Sequence, residues 1–172
     1  MTEPLIVTLR MDERSFARLN GLRRAHFPPE RNHIPAHVTL FHHLPGAHRD
    51  AVADHLAQLC AGTRPLPAMA EAVRFLGRGV AIVLASPHFE KLRADLERHW
   101  RPWLTPQDRQ PFRPHVTVQN KVEAAAARTL YIRLQAEFVP FAVEGVGLSL
   151  WRYKGGPWEP LGDFRFAASD HV

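Results

Sequence analysis

A tetrad that occurs twice, His37-Val38-Thr39-Leu40 and His115-Val116-Thr117-Val118, constrains this chain more than any other feature. The two histidines stand 78 residues apart, one in each half of the sequence. On a strand, successive side chains point to opposite faces, so His37 and Thr39 share one face and Val38 and Leu40 the other. His115 and Thr117 are divided from Val116 and Val118 in the same way. If the apolar faces are buried, two imidazoles and two hydroxyls are held rigidly on the opposite sides. Two such strands across a cleft form a site for paired acid/base chemistry, because imidazole exchanges protons near neutrality. A single His-x-Thr-apolar match carries little information. Here valine and threonine both recur, and a proline precedes each tetrad, Pro35 before the first and Pro114 before the second. The plain reading, two half-buried strands that happen to carry a histidine beside a threonine, leaves that repetition unexplained.

At 172 residues and 45% apolar content, one compact domain or two closely packed lobes with a sizeable core is expected. No apolar run is long enough to span a bilayer. The start, Met1-Thr2-Glu3-Pro4, lacks the order of a signal peptide. Cys60 is the only cysteine, which excludes an intramolecular disulfide and a cysteine-based zinc cluster and predicts a small buried side chain. A cytoplasmic setting is therefore expected. The net charge of +5 is carried almost wholly by arginine, since Lys91, Lys121 and Lys154 are the only lysines. Arginine grips phosphate bidentately, so the bias suits a phosphorylated or nucleic-acid partner, although so modest a charge sets no partner by itself.

Leu5 to Arg10 alternates as a first strand. Asp12 caps a helix through Phe16, Leu19 and Leu22, which Phe27-Pro28-Pro29 ends. The first motif strand is expected from His37 to about Leu44, and a second helix follows, closed by Gly62. Thr63 to Pro67 is expected to be the crossing between halves. Ala72–Leu76 and Val80–Ala85 predict a hairpin about Gly77-Arg78-Gly79, and Ser86-Pro87 opens a third helix that runs to about Leu104. The second motif strand is expected to reach about Val122. Glu123 to Phe138 predicts a fourth helix, and residues 141–153 and 158–166 a closing hairpin. The last residues are expected to fray.

Each half thus carries strand, helix, motif strand and helix. The pattern predicts an α+β fold of two pseudo-symmetric lobes, each an antiparallel sheet with helices on its outer face, the motif strands lining a central cleft. Residues 1–172 are expected to form this single bilobal domain, the halves dividing near 63–67. By strand parity Phe41, His43, Gln119 and Lys121 also face the cleft. Lys121 is then a candidate to neutralise phosphate and Phe41 to stack on a base. Arg113, two residues before His115, is a candidate phosphate contact. For each, a core or surface role is the plain alternative, and Trp151 and Tyr153 are expected in the core.

These residues resemble the two-histidine (2H) phosphoesterases, which include the 2′-5′ RNA ligase family. The resemblance rests on the paired tetrads, with support from the continuation Phe41-His42-His43-Leu44-Pro45-Gly46 and from the hairpin around Trp151-Arg152-Tyr153. It spans essentially the whole chain, and the tetrads are its one specific signature. It implies that His37 and His115 are the catalytic pair, with His37 favoured as acid and His115 as base, and that Thr39 and Thr117 bind phosphate. It implies hydrolysis of a cyclic phosphodiester, such as the 2′,3′-cyclic phosphate of an RNA end or of a nucleotide, with no metal or cofactor. Some members also join RNA ends in the reverse direction. Several carry an arginine shortly after the second motif; Asn120 and Lys121 stand there in this chain, which bears on substrate identity.

Three other classes fit less well. A metal-dependent phosphohydrolase draws on the eleven histidines, including His33 and the His42-His43 pair, but no HExxH pattern or carboxylate–histidine cluster has ligand spacing. An ATP-dependent ligase needs a nucleotidyl-accepting lysine or a glycine-rich phosphate loop, and none of the three lysines has that context. The remaining alternative is a non-catalytic RNA- or nucleotide-binding module of the same fold, which binding without turnover would reveal. No obligate protein partner is evident, and a monomer is the default. The natural substrate and the ability to ligate stay open.

Overall fold

Residues 3–167 are described by the computed structural model. Along the chain these are β1 (Leu5–Met11), α1 (Glu13–His26), β2 (Val38–Leu44), α2 (Arg49–Ala61), β3 (Leu66–Phe75), β4 (Val80–Ala85), α3 (Pro87–Trp100), β5 (His115–Gln119), α4 (Ala124–Glu137), β6 (Phe141–Arg152) and β7 (Glu159–Arg165).

Local chemistry sets the helix ends. The Asp12 carboxylate accepts from Ser15 N at 3.1 Å and starts α1, and Phe27 leaves the helix because a residue before proline is driven to extended backbone. Ser86 accepts from Phe89 N at 3.1 Å to start α3, with Pro87 at the first helical position. Its own hydroxyl donates to Pro67 O at 2.7 Å, tying that start to β3. In the β3–β4 turn Gly77 takes φ 90°, and a Cβ on Gly79 would fall 2.0 Å from Gln119 O. The turn therefore needs both glycines, one for its backbone and one to let β5 pass.

All strand pairs are antiparallel, in the order β2-β1-β6-β3-β4-β5, with β7 also on β6. If β1 is matched with β4, β2 with β5 and β6 with β3, the order is the same read from either end. Each motif strand is thus a sheet edge beside the first strand of its own repeat. The long β6 joins the halves: Phe141–Gly145 pair with β3, and Gly145–Arg152 with β1. The sheet curls until its two edges, β2 and β5, touch. Helices α2 and α4 pack on β6–β7 and on β3–β4, while α1 reaches across to β5. One contiguous apolar core links these layers, including Leu9, Leu19, Val38, Phe89, Val116 and Leu148. Each such side chain, fully buried, stabilises the fold by about 1.5–3 kcal/mol before entropy is counted.

Three expected boundaries move. Strand β3 begins at Leu66, so Leu66 and Pro67 already pair with β6 instead of lying in a crossing. Strand β5 stops at Gln119, because Lys121 turns to φ 60°. Helix α3 ends at Trp100 and continues only as a 3-10 turn to Trp103. The expected fraying of the last residues falls partly on 168–172, outside the described residues.

Candidate active site

His37 lies immediately before β2, and His115 is the first residue of β5. Each ring makes the same hydrogen bond, Nδ1 of His37 to Pro35 O at 2.9 Å and Nδ1 of His115 to Arg113 O at 2.7 Å. A carbonyl only accepts, so both Nδ1 atoms carry hydrogen and both Nε2 atoms are left for chemistry. The backbone two residues upstream thus fixes ring and tautomer at both sites. Val38, Leu40, Val116 and Val118 are buried, and Thr39 and Thr117 are half-buried on the opposite face.

The two strands also share a defect. In the β1–β2 ladder Thr8 opposes Thr39 and Val7 opposes Phe41, so Leu40 is an extra residue. In the β4–β5 ladder Ala81 opposes Thr117 and Val80 opposes Gln119, so Val118 is extra. A β-bulge of this kind shifts the side-chain alternation by one residue. It therefore overturns the parity at Phe41 and Gln119, while His43 is exposed, as expected of a residue off the core face. Phe41, expected as a base-stacking residue, is fully buried, packed under the Arg93 guanidinium at 3.9 Å and edge-on to Trp100 at 5.0 Å. Gln119 is buried too.

A cavity of about 380 Å³ contains His37 and Thr117, one residue from each motif, and its wall includes Arg23, Lys121, Tyr153 and Trp158. Lys121 thus stands where a cleft residue was expected, though it gets there through a left-handed backbone and not a regular strand. Arg113 does not join it: its carbonyl holds His115, while its side chain lines a separate concavity with Glu71 and Arg74. Tyr153 is exposed and half-buried Trp151 donates Nε1–H to Thr8 Oγ1 at 2.9 Å, so neither is the core residue expected.

His37 and His115 interact electrostatically. Burial is the main cause that lowers the His37 pKa to about 4; the Pro35 carbonyl opposes it, and positive charge at Arg23, His115 and His42 adds to it. His37 is therefore neutral at pH 7. The Trp158 ring meets it edge-on with centroids 5.1 Å apart. Trp158 and Arg23 are site residues that sequence reasoning missed. Neither adjoins a motif in the chain, and only a hairpin and a helix returning from elsewhere bring them in. No group of three or more His, Cys, Asp or Glu among the described residues is arranged to hold a metal ion.

An antiparallel α+β fold whose two touching edge strands each carry a His–Thr pair fits the two-histidine class of phosphoesterases. The model of the 2′-5′ RNA ligase superfamily matches residues 11–157, and the chain belongs to that superfamily. None of the curated proteins compared with the chain matches it. Among solved structures, TT0787 of Thermus thermophilus is similar at TM-score 0.65 and 18% identity, covering 98% of this chain and all of that one. LigT of E. coli, complexed with NADP+, gives 0.58 and 17%, over 96% of this chain and 99% of LigT. A protein described as a phosphoesterase gives 0.60 and 17%, over 97% and 99%. At these identities the likeness is one of fold.

Proposed function

We propose that this protein is a metal-independent hydrolase of a cyclic phosphodiester, the 2′,3′-cyclic phosphate of an RNA end or of a nucleotide, with His37 and His115 as the catalytic pair. The observation that carries this is the identical Nδ1 clamp on two imidazoles at the touching edges of the sheet, His37 of the one motif lining a cavity with Thr117 of the other. Hydrolysis needs a base that takes a proton from water as its oxygen attacks phosphorus. It also needs an acid that protonates the ribose oxygen as its bond to phosphorus breaks. His37, kept neutral at pH 7, is in the form that can accept the water proton, leaving His115 to protonate the leaving oxygen, the reverse of the roles the family resemblance favours. Reversing every proton transfer gives the ligation direction, in which the two imidazoles exchange roles. Thr39 and Thr117 donate hydroxyl hydrogens to the non-bridging oxygens, where charge accumulates. Lys121 adds positive charge at the cavity wall.

Residues 1–172 act on this reading as one bilobal domain and as a monomer. The setting is cytoplasmic, in keeping with a buried thiol, Cys60, whose pKa burial pushes up to about 12. No helix among the described residues is long and apolar enough to cross a membrane.

The test is hydrolysis of an oligoribonucleotide ending in a 2′,3′-cyclic phosphate, in EDTA, by the wild type and by His37→Ala and His115→Ala. Turnover that persists in EDTA and falls at least a thousandfold in both variants supports the reading. Activity lost to EDTA, or binding without turnover on a panel of cyclic phosphates, refutes it.

A further inference from the structure

His42 and Asp108 form an imidazole–carboxylate unit that the hydrolytic scheme does not use. Asp108, in the loop between α3 and β5, is 1% exposed. Its Oδ1 accepts from the backbone N–H of His42 at 2.9 Å and from His42 Nδ1 at 3.0 Å, and its Oδ2 from the N–H of His43 at 2.9 Å. Burial works to raise the Asp108 pKa, but these hydrogen bonds, the His42 ring's first among them, hold it below the ordinary carboxylate range. A carboxylate only accepts, so His42 carries hydrogen on Nδ1 and leaves Nε2 free on a side chain that is 46% exposed.

The bulge decides where that ring stands. Leu40 and Phe41 are both buried, and a second extra residue between Phe41 and Leu44 leaves His42 and His43 both exposed, so His42 shares the solvent side of the strand with His37 and Thr39. Phe41 opposite Val7 and Gln119 opposite Val80 hold equivalent places in their two ladders, so His42 is the counterpart of Asn120. Asn120 lines the cavity that holds His37 and Thr117. His42 also acts electrostatically on His37. The charged groups around His42 are the Asp108 carboxylate, His37 on its own strand's approach, and, behind Asp108, Arg93 of α3, which donates to Asp108 O and pairs with Glu97.

We propose that His42 is a third substrate-binding imidazole, aimed by Asp108 so that Nε2 meets the phosphate seated between His37 and Thr39. The proposal rests on the cleft being a phosphodiester site. It makes the two motifs unequal: the first carries an imidazole donor where the second carries the amide of Asn120.

Inorganic phosphate binding tests this independently of turnover. His42→Gln should weaken phosphate binding about tenfold. Asp108→Asn, whose amide oxygen still accepts from the His42 and His43 N–H groups, should weaken it comparably. His43→Gln should leave it unchanged. On a cyclic-phosphate substrate His42→Gln should raise KM about tenfold and move kcat less than about threefold. Phosphate should also shift the His42 Nε2 NMR signal of the unaltered protein, a readout that needs no variant to fold. Unchanged affinity in His42→Gln, or no shift of that signal, overturns the proposal and leaves Asp108 as a cap on the bulge. If no cyclic phosphate is hydrolysed but the effect on phosphate binding persists, His42 stands and the hydrolase reading falls.

Discussion

Arg23 and Arg93 do the same work on opposite motif strands. Arg23 on α1 donates Nη1–H to the carbonyl of Thr117 at 2.9 Å, and Arg93 on α3 donates Nε–H to the carbonyl of Leu40 at 2.7 Å. Each helix follows a strand of one repeat and ties down the motif strand of the other. The bonds land on the motif threonine of β5 and on the extra residue of the β2 bulge, the places where an edge strand is least supported by its ladder. Both guanidiniums are buried, and burial lowers both pKa values, that of Arg23 to about 10.

Arg23→Met should therefore destabilise the fold by about 2–4 kcal/mol, because it leaves the Thr117 carbonyl and Asn32 Oδ1, which Arg23 Nε reaches at 2.8 Å, without their donor. Arg23→Lys should recover less than half of the loss, since one ammonium does not span both acceptors as a planar fork does. Urea denaturation of the three proteins measures this. A loss below about 1 kcal/mol for Arg23→Met would mean that α1 and β5 hold together without the link.

Stability should fall with acid in a window set by His37. The folded form keeps this ring neutral down to about pH 4, whereas in the unfolded chain it takes a proton below about 6.5. Between those values the unfolded chain binds the extra proton, so stability rises with pH there, and falls as pH drops from 6.5 to 4. Below 4 both forms are protonated and the effect saturates. His26 and His55, also lowered by burial, act in the same direction. Asp108, held low, adds stability above pH 3.8 that is lost as pH falls through its folded value. His37→Gln should flatten, without abolishing, the slope of unfolding free energy against pH between 4 and 6.5. An unchanged slope would show that His37 is no harder to protonate in the fold than outside it.

Phe41 marks where the sequence stopped being legible. The tetrads were legible because alternation holds from His37 to Thr39 and from His115 to Thr117, and because the same residues recur. The caps at Asp12 and Ser86 were legible because the bonds are local, three residues long. The bulges after Thr39 and Thr117 have no signal in composition, since Leu40-Phe41 and Val118-Gln119 would continue a regular strand equally well. Asp108 reaches the β2 backbone across 66 residues, and Arg23 reaches Thr117 across 94, so neither partnership leaves a pattern in the chain.

Phe41→Ala should accordingly behave as a core deletion. It removes a ring packed between Arg93 and Trp100, for a loss of about 3–5 kcal/mol. The conservative Phe41→Leu should lose less and leave KM for a cyclic-phosphate substrate unchanged. A raised KM in Phe41→Leu at unchanged stability would restore the stacking role that strand parity had suggested.

Trp158 should control the proton affinity of His37. Its ring packs T-shaped against the imidazole at 5.1 Å, rests on Trp151 at 5.9 Å, and lines the cavity beside His37. Two effects of Trp158→Ala oppose each other. Losing an aromatic neighbour removes up to about 1 kcal/mol of cation–π support for a charged imidazole and would lower its pKa. Admitting water relieves the burial that depresses it and would raise it. Burial is the leading cause of a shift from 6.5 to about 4, larger than the aromatic contribution. The His37 pKa should therefore rise toward 6.5 in Trp158→Ala, and Trp158→Phe should keep most of the depression. Titration of the His37 ring by NMR decides between the two effects: a pKa that stays near 4 or falls would mean that other walls of the cleft keep His37 dry. If the pKa rises and His37 is the base, the acid limb of the kcat/KM profile should move to higher pH by the same amount.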